Sequence, residues 1–139
     1  MRHLSISKLR RRAIEVSVKH LDGVRFEVAA RGNTVISDQP LSNGGKDSGM
    51  TPPEFLLGAL GSCVAYYAVE YLRARMLPLD GIAVSVQADK ASAPARIAHF
   101  SVTLEAPELD GRHQQGLLRA VKTCLVHNTL LNLPAIDVV

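Results

Sequence analysis

The chain has 139 residues, 47% of them hydrophobic, with 16 Lys or Arg against 13 Asp or Glu. That length and apolar content fit one domain able to bury a core and exclude a disordered or low-complexity chain. The formal charge of +3 is local: Arg2, Lys8, Arg10, Arg11 and Arg12 fall in residues 1–12, which hold no acid, so the remainder balances 11 basic against 13 acidic residues, or −2.

Residues 1–12 read as a basic arm and residues 13–139 as a single domain. The arm lacks the apolar core of about 7–15 residues that a secretory signal needs. The patterned fold follows too closely for a transit peptide, so a cytoplasmic protein is expected. With three Phe, three Tyr and no Trp, the chain has few rings to stack on bases, which argues against nucleic acid as the partner.

Residues 13–20 (AIEVSVKH) alternate apolar and polar side chains as a strand does. Leu21-Asp22-Gly23 is a turn, residues 24–30 a second strand and residues 34–37 a third. Together they predict an antiparallel meander ended by Pro40. Residues 41–51 (LSNGGKDSGMT) form a glycine-rich loop. It fails as a phosphate-binding P-loop, because Pro40 stands where the first glycine belongs and Asp47 where Ser or Thr is needed.

The stretch 51–76 (TPPEFLLGALGSCVAYYAVEYLRARM) predicts a long helix, with Thr51 as N-cap, Pro52 in the first turn and Glu54 completing a T-x-x-E capping box. No residue from Phe55 to Val69 is charged, so a helix buried on nearly all sides is expected. That run is shorter than the ~18–20 apolar residues of a membrane span, and no membrane partner is expected. Gly58, Gly61, Ala65 and Ala68 make a stripe of small residues inviting close backbone approach. Cys63 faces away from that stripe.

After a turn at Pro78 and Gly81, residues 82–88 and 97–105 predict a hairpin, residues 112–125 a second helix, and AIDVV at 135–139 a last strand. The order βββ, helix, ββ, helix, β is α+β. The uneven split of strands implies that one chain does not complete its sheet.

The chain holds two cysteines, Cys63 and Cys124, too far apart in sequence for a C-x-x-C redox or zinc pair. Either can be a small core residue. A structural disulfide is not expected in a reducing cytoplasm, so if the two meet, redox chemistry is the better reading.

Four motifs then stand together: T-P-P-E-F-L-L-G-A-L-G-S-C (51–63), D-Q-P-x-x-x-G-G (38–45), L-x-G-I-x-V-x-V (79–86) and C-x-V-x-N-T-L (124–130). In these the chain, over about residues 14–139, resembles the OsmC/Ohr family of osmotically inducible and organic hydroperoxide resistance proteins. The form of the long helix is closer to the broad OsmC-like branch than to the organic-hydroperoxide branch. The resemblance implies an OsmC-like fold of antiparallel sheets around a long central helix, in an intertwined homodimer. It further implies a thiol peroxidase site at the subunit interface: Cys63 as attacking thiol, Cys124 as resolving thiol, Glu54, and an arginine from the N-terminal strands, Arg25 by register with Arg31 as the alternative. The substrate implied is an organic hydroperoxide and the reductant an external dithiol, with no cofactor and no metal.

Helix geometry constrains that set independently. Glu54 and Cys63 are nine positions apart, ~13 Å of rise and half a turn out of phase, so Glu54 either only caps the helix or serves a site completed by another subunit. His127, one turn after Cys124, is a candidate base or a capping residue. Two other classes compete: a dimer that binds a small apolar ligand with cysteines that only pack, and a metal site from Cys63, Cys124 and His127, whose spacing matches no zinc motif.

Overall fold

The structure is a computed structural model describing residues 13–139; the expected basic arm lies outside the described residues. The chain divides into two compact units, the first ending at Pro52 and the second running from Pro53 to Val139.

In the first unit, β1 (Ser17–Asp22), β2 (Arg25–Ala30) and β3 (Asn33–Ser37) form the expected antiparallel meander in the order β1-β2-β3. Val18 lies opposite Val28 across the first pair, and Val28 opposite Val35 across the second. The first turn is later and tighter than its sequence predicts. β1 continues through Asp22, and Gly23, at φ 49°, reverses the chain in the left-handed region that glycine adopts without strain. After Ser37 the chain folds into the glycine-rich loop, which closes when the Asp38 N–H donates to the Met50 carbonyl at 3.2 Å.

The second unit holds α1 (Pro52–Ala74), the hairpin β4 (Ala83–Ala91) and β5 (Arg96–Glu105), then α2 (Gly111–Val121) and α3 (Leu125–Leu131). Helix α1 starts at a proline, where a missing N–H costs nothing, and carries Glu54 in its first turn, where negative charge suits the helix dipole. It stops in a Schellman arrangement: Leu77 N–H donates to the Leu72 carbonyl at 2.9 Å and Met76 N–H to Arg73 at 3.0 Å, with Met76 at φ 53°. Pro78 then prevents continuation.

The core of this unit is a stripe of α1 (Leu60, Val64, Ala68 and Leu72) against Leu117 and Val121 of α2 and against Cys124, with Val84, Val86, Phe100 and Leu104 of the hairpin packed onto it. Residues four apart on α1 fall on one face, which is why these four work together. The small-residue stripe also has its expected use. β4 comes so close to Gly61 that an added Cβ would sit 3.1 Å from a Val86 methyl.

Three expectations are corrected. Helix α1 is not buried on all sides: Leu60, Gly61, Val64, Ala68 and Leu72 are buried, while Tyr66 is 60% exposed. By length and composition α1 would suffice to cross a membrane; in this unit it is a one-faced packing helix on a hairpin and α2. The second helical pattern is two helices. The Thr123 hydroxyl donates to the Ala120 carbonyl at 2.6 Å, the turn tightens, and Cys124 at ψ 133° leaves helical geometry before α3 begins. Residues 135–139 form no strand and are exposed, because an isolated strand has no ladder to join.

Candidate active site

Cys63 lies mid-way along α1 and is half-buried, whereas Cys124 is fully buried; both are free thiols. The fold brings Cys63 against the buried cluster that contains Cys124. Cys124 is also the N-cap of α3, its Sγ accepting the His127 backbone N–H at 3.4 Å. Burial pushes the Cys124 thiol above the ordinary cysteine range, the contact with Cys63 adds to that, and the His127 N–H opposes it. Cys124 therefore keeps its proton more firmly than an ordinary cysteine does. His127 meets the sulfur through its backbone; its ring Nδ1 is buried with no partner among the described residues.

Arg25 sits at the start of β2. Its Nε donates to the Ser48 hydroxyl at 3.0 Å and one terminal nitrogen to Asp22 at 2.7 Å, so the fork is fixed at two points. Asp22 also receives Lys46 Nζ at 3.3 Å. Against the desolvation that would raise it, the Lys46 hydrogen bond and the charges of Arg25 and Lys46 hold the Asp22 carboxyl below its usual value. Arg31, the alternative arginine, occupies the β2–β3 turn at φ 52° and is exposed.

Behind Ser48 stands a group whose role the sequence did not announce. Asp38 is fully buried, and its carboxylate accepts the Ser48 hydroxyl at 2.7 Å, the Ser48 N–H at 3.0 Å, the Gln39 N–H at 2.8 Å and the Lys46 N–H at 3.2 Å. Led by the Ser48 hydroxyl, these donors hold the carboxyl down at about 2. The glycine-rich loop is thus an anion nest filled by its own Asp38 carboxylate. Gly45 is required, since a Cβ there would overlap the Gln39 carbonyl. The available signal was an aspartate followed by a proline and two glycines, the composition of a turn built around an Asp side chain. From Asp38 through Ser48 to Arg25 there runs one line of hydrogen bonds.

Of the predicted residues, then, the fold joins Cys63 to Cys124. Arg25 is held within the first unit, and Glu54 stands in the first turn of α1, nine positions ahead of Cys63. Among the described residues no group of three or more His, Cys, Asp or Glu is arranged to hold a metal ion.

Comparison with known proteins bears on the fold and the family. Solved structures of similar fold include an OsmC like protein from Mycoplasma pneumoniae, with a TM-score of 0.74, 16% identity and coverage of 88% of this chain and 89% of that one. A Psychrobacter arcticus 273-4 structure described as an osmotic stress induced and detoxification response protein gives a TM-score of 0.72, 24% identity and coverage of 82% and 85%. The organic hydroperoxide resistance protein OhrB of Bacillus subtilis gives 0.59, 16% identity and coverage of 86% and 92%. No curated protein sequence matches the chain. Residues 45–139, from the glycine-rich loop through both cysteines, match the family described as OsmC-like protein, and the chain belongs to that family.

Proposed function

We propose that this protein is a cysteine-based peroxidase that reduces organic hydroperoxides as part of a stress or detoxification response. The observation that carries the reading is the asymmetry of the thiol pair: one cysteine half-open, the other sealed in the cluster against which the first one packs. A nucleophile must be reached by substrate, and a resolving thiol must wait beside it. Organic hydroperoxide resistance is also what the names of several structural neighbours state.

In this mechanism the Cys63 thiolate attacks the terminal peroxide oxygen. The O–O bond breaks, an alkoxide leaves and is protonated to the alcohol, and Cys63 becomes a sulfenic acid. The Cys124 sulfur then displaces the sulfenic oxygen, which leaves as water, and a Cys63–Cys124 disulfide forms. An external dithiol reduces it. Arg25 supplies the positive charge that favours thiolate and alkoxide, and Glu54 orients that guanidinium. The apolar neighbours of Cys63 favour an organic peroxide over hydrogen peroxide.

The same reading makes the protein a homodimer with the site at the subunit interface. Helix α1 is apolar throughout its middle yet buries a single face, leaving Tyr66 60% and Leu56 38% exposed. A second copy covers that surface at the lowest cost in exposed apolar area.

The test mixes reduced protein with cumene hydroperoxide or hydrogen peroxide and follows free thiols and intact mass. Fast loss of both thiols with a two-hydrogen mass decrease, faster with the organic peroxide, is expected. Cys63→Ser abolishes it, by on the order of 10³-fold or more, while Cys124→Ser stops at a sulfenic acid. Survival of both thiols would leave the competing reading, a small apolar ligand held by a dimer whose cysteines only pack.

A further inference from the structure

Apart from the thiol pair, the C-terminal part of α1 and one face of α2 enclose an open cavity of about 420 Å³, lined by Tyr71, Arg75, Arg112, His113, Gly116 and Arg119 among others, none of them acidic. Three arginines line one small volume, and the usual partner of such a group, a carboxylate, is missing from the lining. Arg112 and Arg119 make no hydrogen bond or ion pair among the described residues.

The rest of the lining is built rather than incidental. The Arg75 guanidinium lies 3.7 Å over the Tyr71 ring and donates to the Tyr71 carbonyl at 3.0 Å, so its position is fixed. The Tyr71 hydroxyl meets His113 Nδ1 at 3.3 Å. In the tautomer in which the tyrosine donates, the imidazole proton rests on Nε2 and is left to offer to a ligand. Tyr71 can lie this close to α2 only because residue 116 is glycine; a Cβ there would overlap the tyrosine hydroxyl. The N-terminus of α2 is closed by its own cap, the Asp110 carboxylate accepting the His113 N–H at 2.9 Å, so the cations of the lining come from the arginines and not from the helix end.

We propose that this cavity is a binding site for a small soluble phosphate ester. Guanidinium forks match phosphate oxygens in pairs, and three of them match a dianion better than a monoanion. The volume falls in the range of small-molecule sites. The site lies wholly within the second unit and does not depend on the thiol chemistry.

The experiment titrates the full chain calorimetrically with pyrophosphate and with inorganic phosphate at low and moderate salt, with acetate as the monoanion control. Vesicles containing phosphatidic acid form a separate arm. Saturable binding of pyrophosphate is expected, with acetate at least tenfold weaker. Arg112→Gln with Arg119→Gln lowers the affinity tenfold or more, and Arg112→Lys with Arg119→Lys restores part of it, with unchanged circular dichroism and unchanged Cys63 alkylation. Equal binding by the glutamine variant, no saturable binding of either phosphate, or binding to vesicles alone would each overturn the proposal.

Discussion

Among the described residues, two groups that can titrate are completely shut off from solvent, and they answer burial in opposite ways. Cys124, in the second unit, is surrounded by Leu60, Val64, Leu117 and Val121 and meets one backbone donor at 3.4 Å, so its thiol is pushed up. Asp38, in the first unit, is equally hidden yet meets four donors at 2.7–3.2 Å, and its carboxyl falls to about 2. Burial alone does not set the sign; the number of donors aimed at the charged form does. The apolar unit thus stores a proton on sulfur, and the polar unit stores a negative charge that anchors Ser48 and, through it, Arg25.

The strongest way to break this division of labour is to leave the fold alone and blunt the cation. Arg25→Lys keeps the charge but loses the planar fork held by Ser48 and Asp22, and a roughly hundredfold slower peroxide-driven loss of thiols is expected at unchanged melting temperature. An unchanged rate would remove Arg25 from the mechanism. Asp38→Asn tests the other pole. The buried carboxylate contributes stability in full above its ordinary value of 3.8, and that contribution fades as pH falls through about 2. The variant should therefore melt several degrees lower at pH 7, and the gap should close below about pH 3; acid titration by circular dichroism measures it. A constant gap would mean that shape, not charge, is what Asp38 supplies. Ser48→Ala is the mildest break, removing the link while leaving both ends. A fall of a few-fold in the same thiol assay is expected, with the Asp38 backbone contacts intact.

Much of this was legible in the chain. The meander, the long helix from its proline start and the hairpin followed from periodicity and capping residues, and a second cysteine near the first was implied by the resemblance to the OsmC/Ohr family. What stayed hidden was tertiary. Cys124 reads as helical because Leu117, Val121 and Cys124 keep the helical period, whereas the Thr123 hydroxyl bonding back to Ala120 and the extended ψ of Cys124 show that the helix has ended. Asp38 stands only as the first letter of a motif, because a sequence does not reveal that four donors will converge on it. Gly116 carries no local signal at all, since its need arises from Tyr71 on another helix. Tyr66 reads as buried because apolar content does not say which face of α1 a single chain can cover.

Besides the redox role proposed for it, the Cys124 sulfur caps the N-terminus of α3 by accepting the His127 amide. A sulfur drawn into a disulfide changes both its position and its strength as an acceptor. The exchange of a single amide hydrogen, that of His127, thereby becomes a native clock for the oxidation state of the thiol pair. In deuterated solvent it should exchange faster in peroxide-treated protein than in reduced protein, and Cys124→Ser, which still offers an oxygen to that amide, should keep it slow under both conditions.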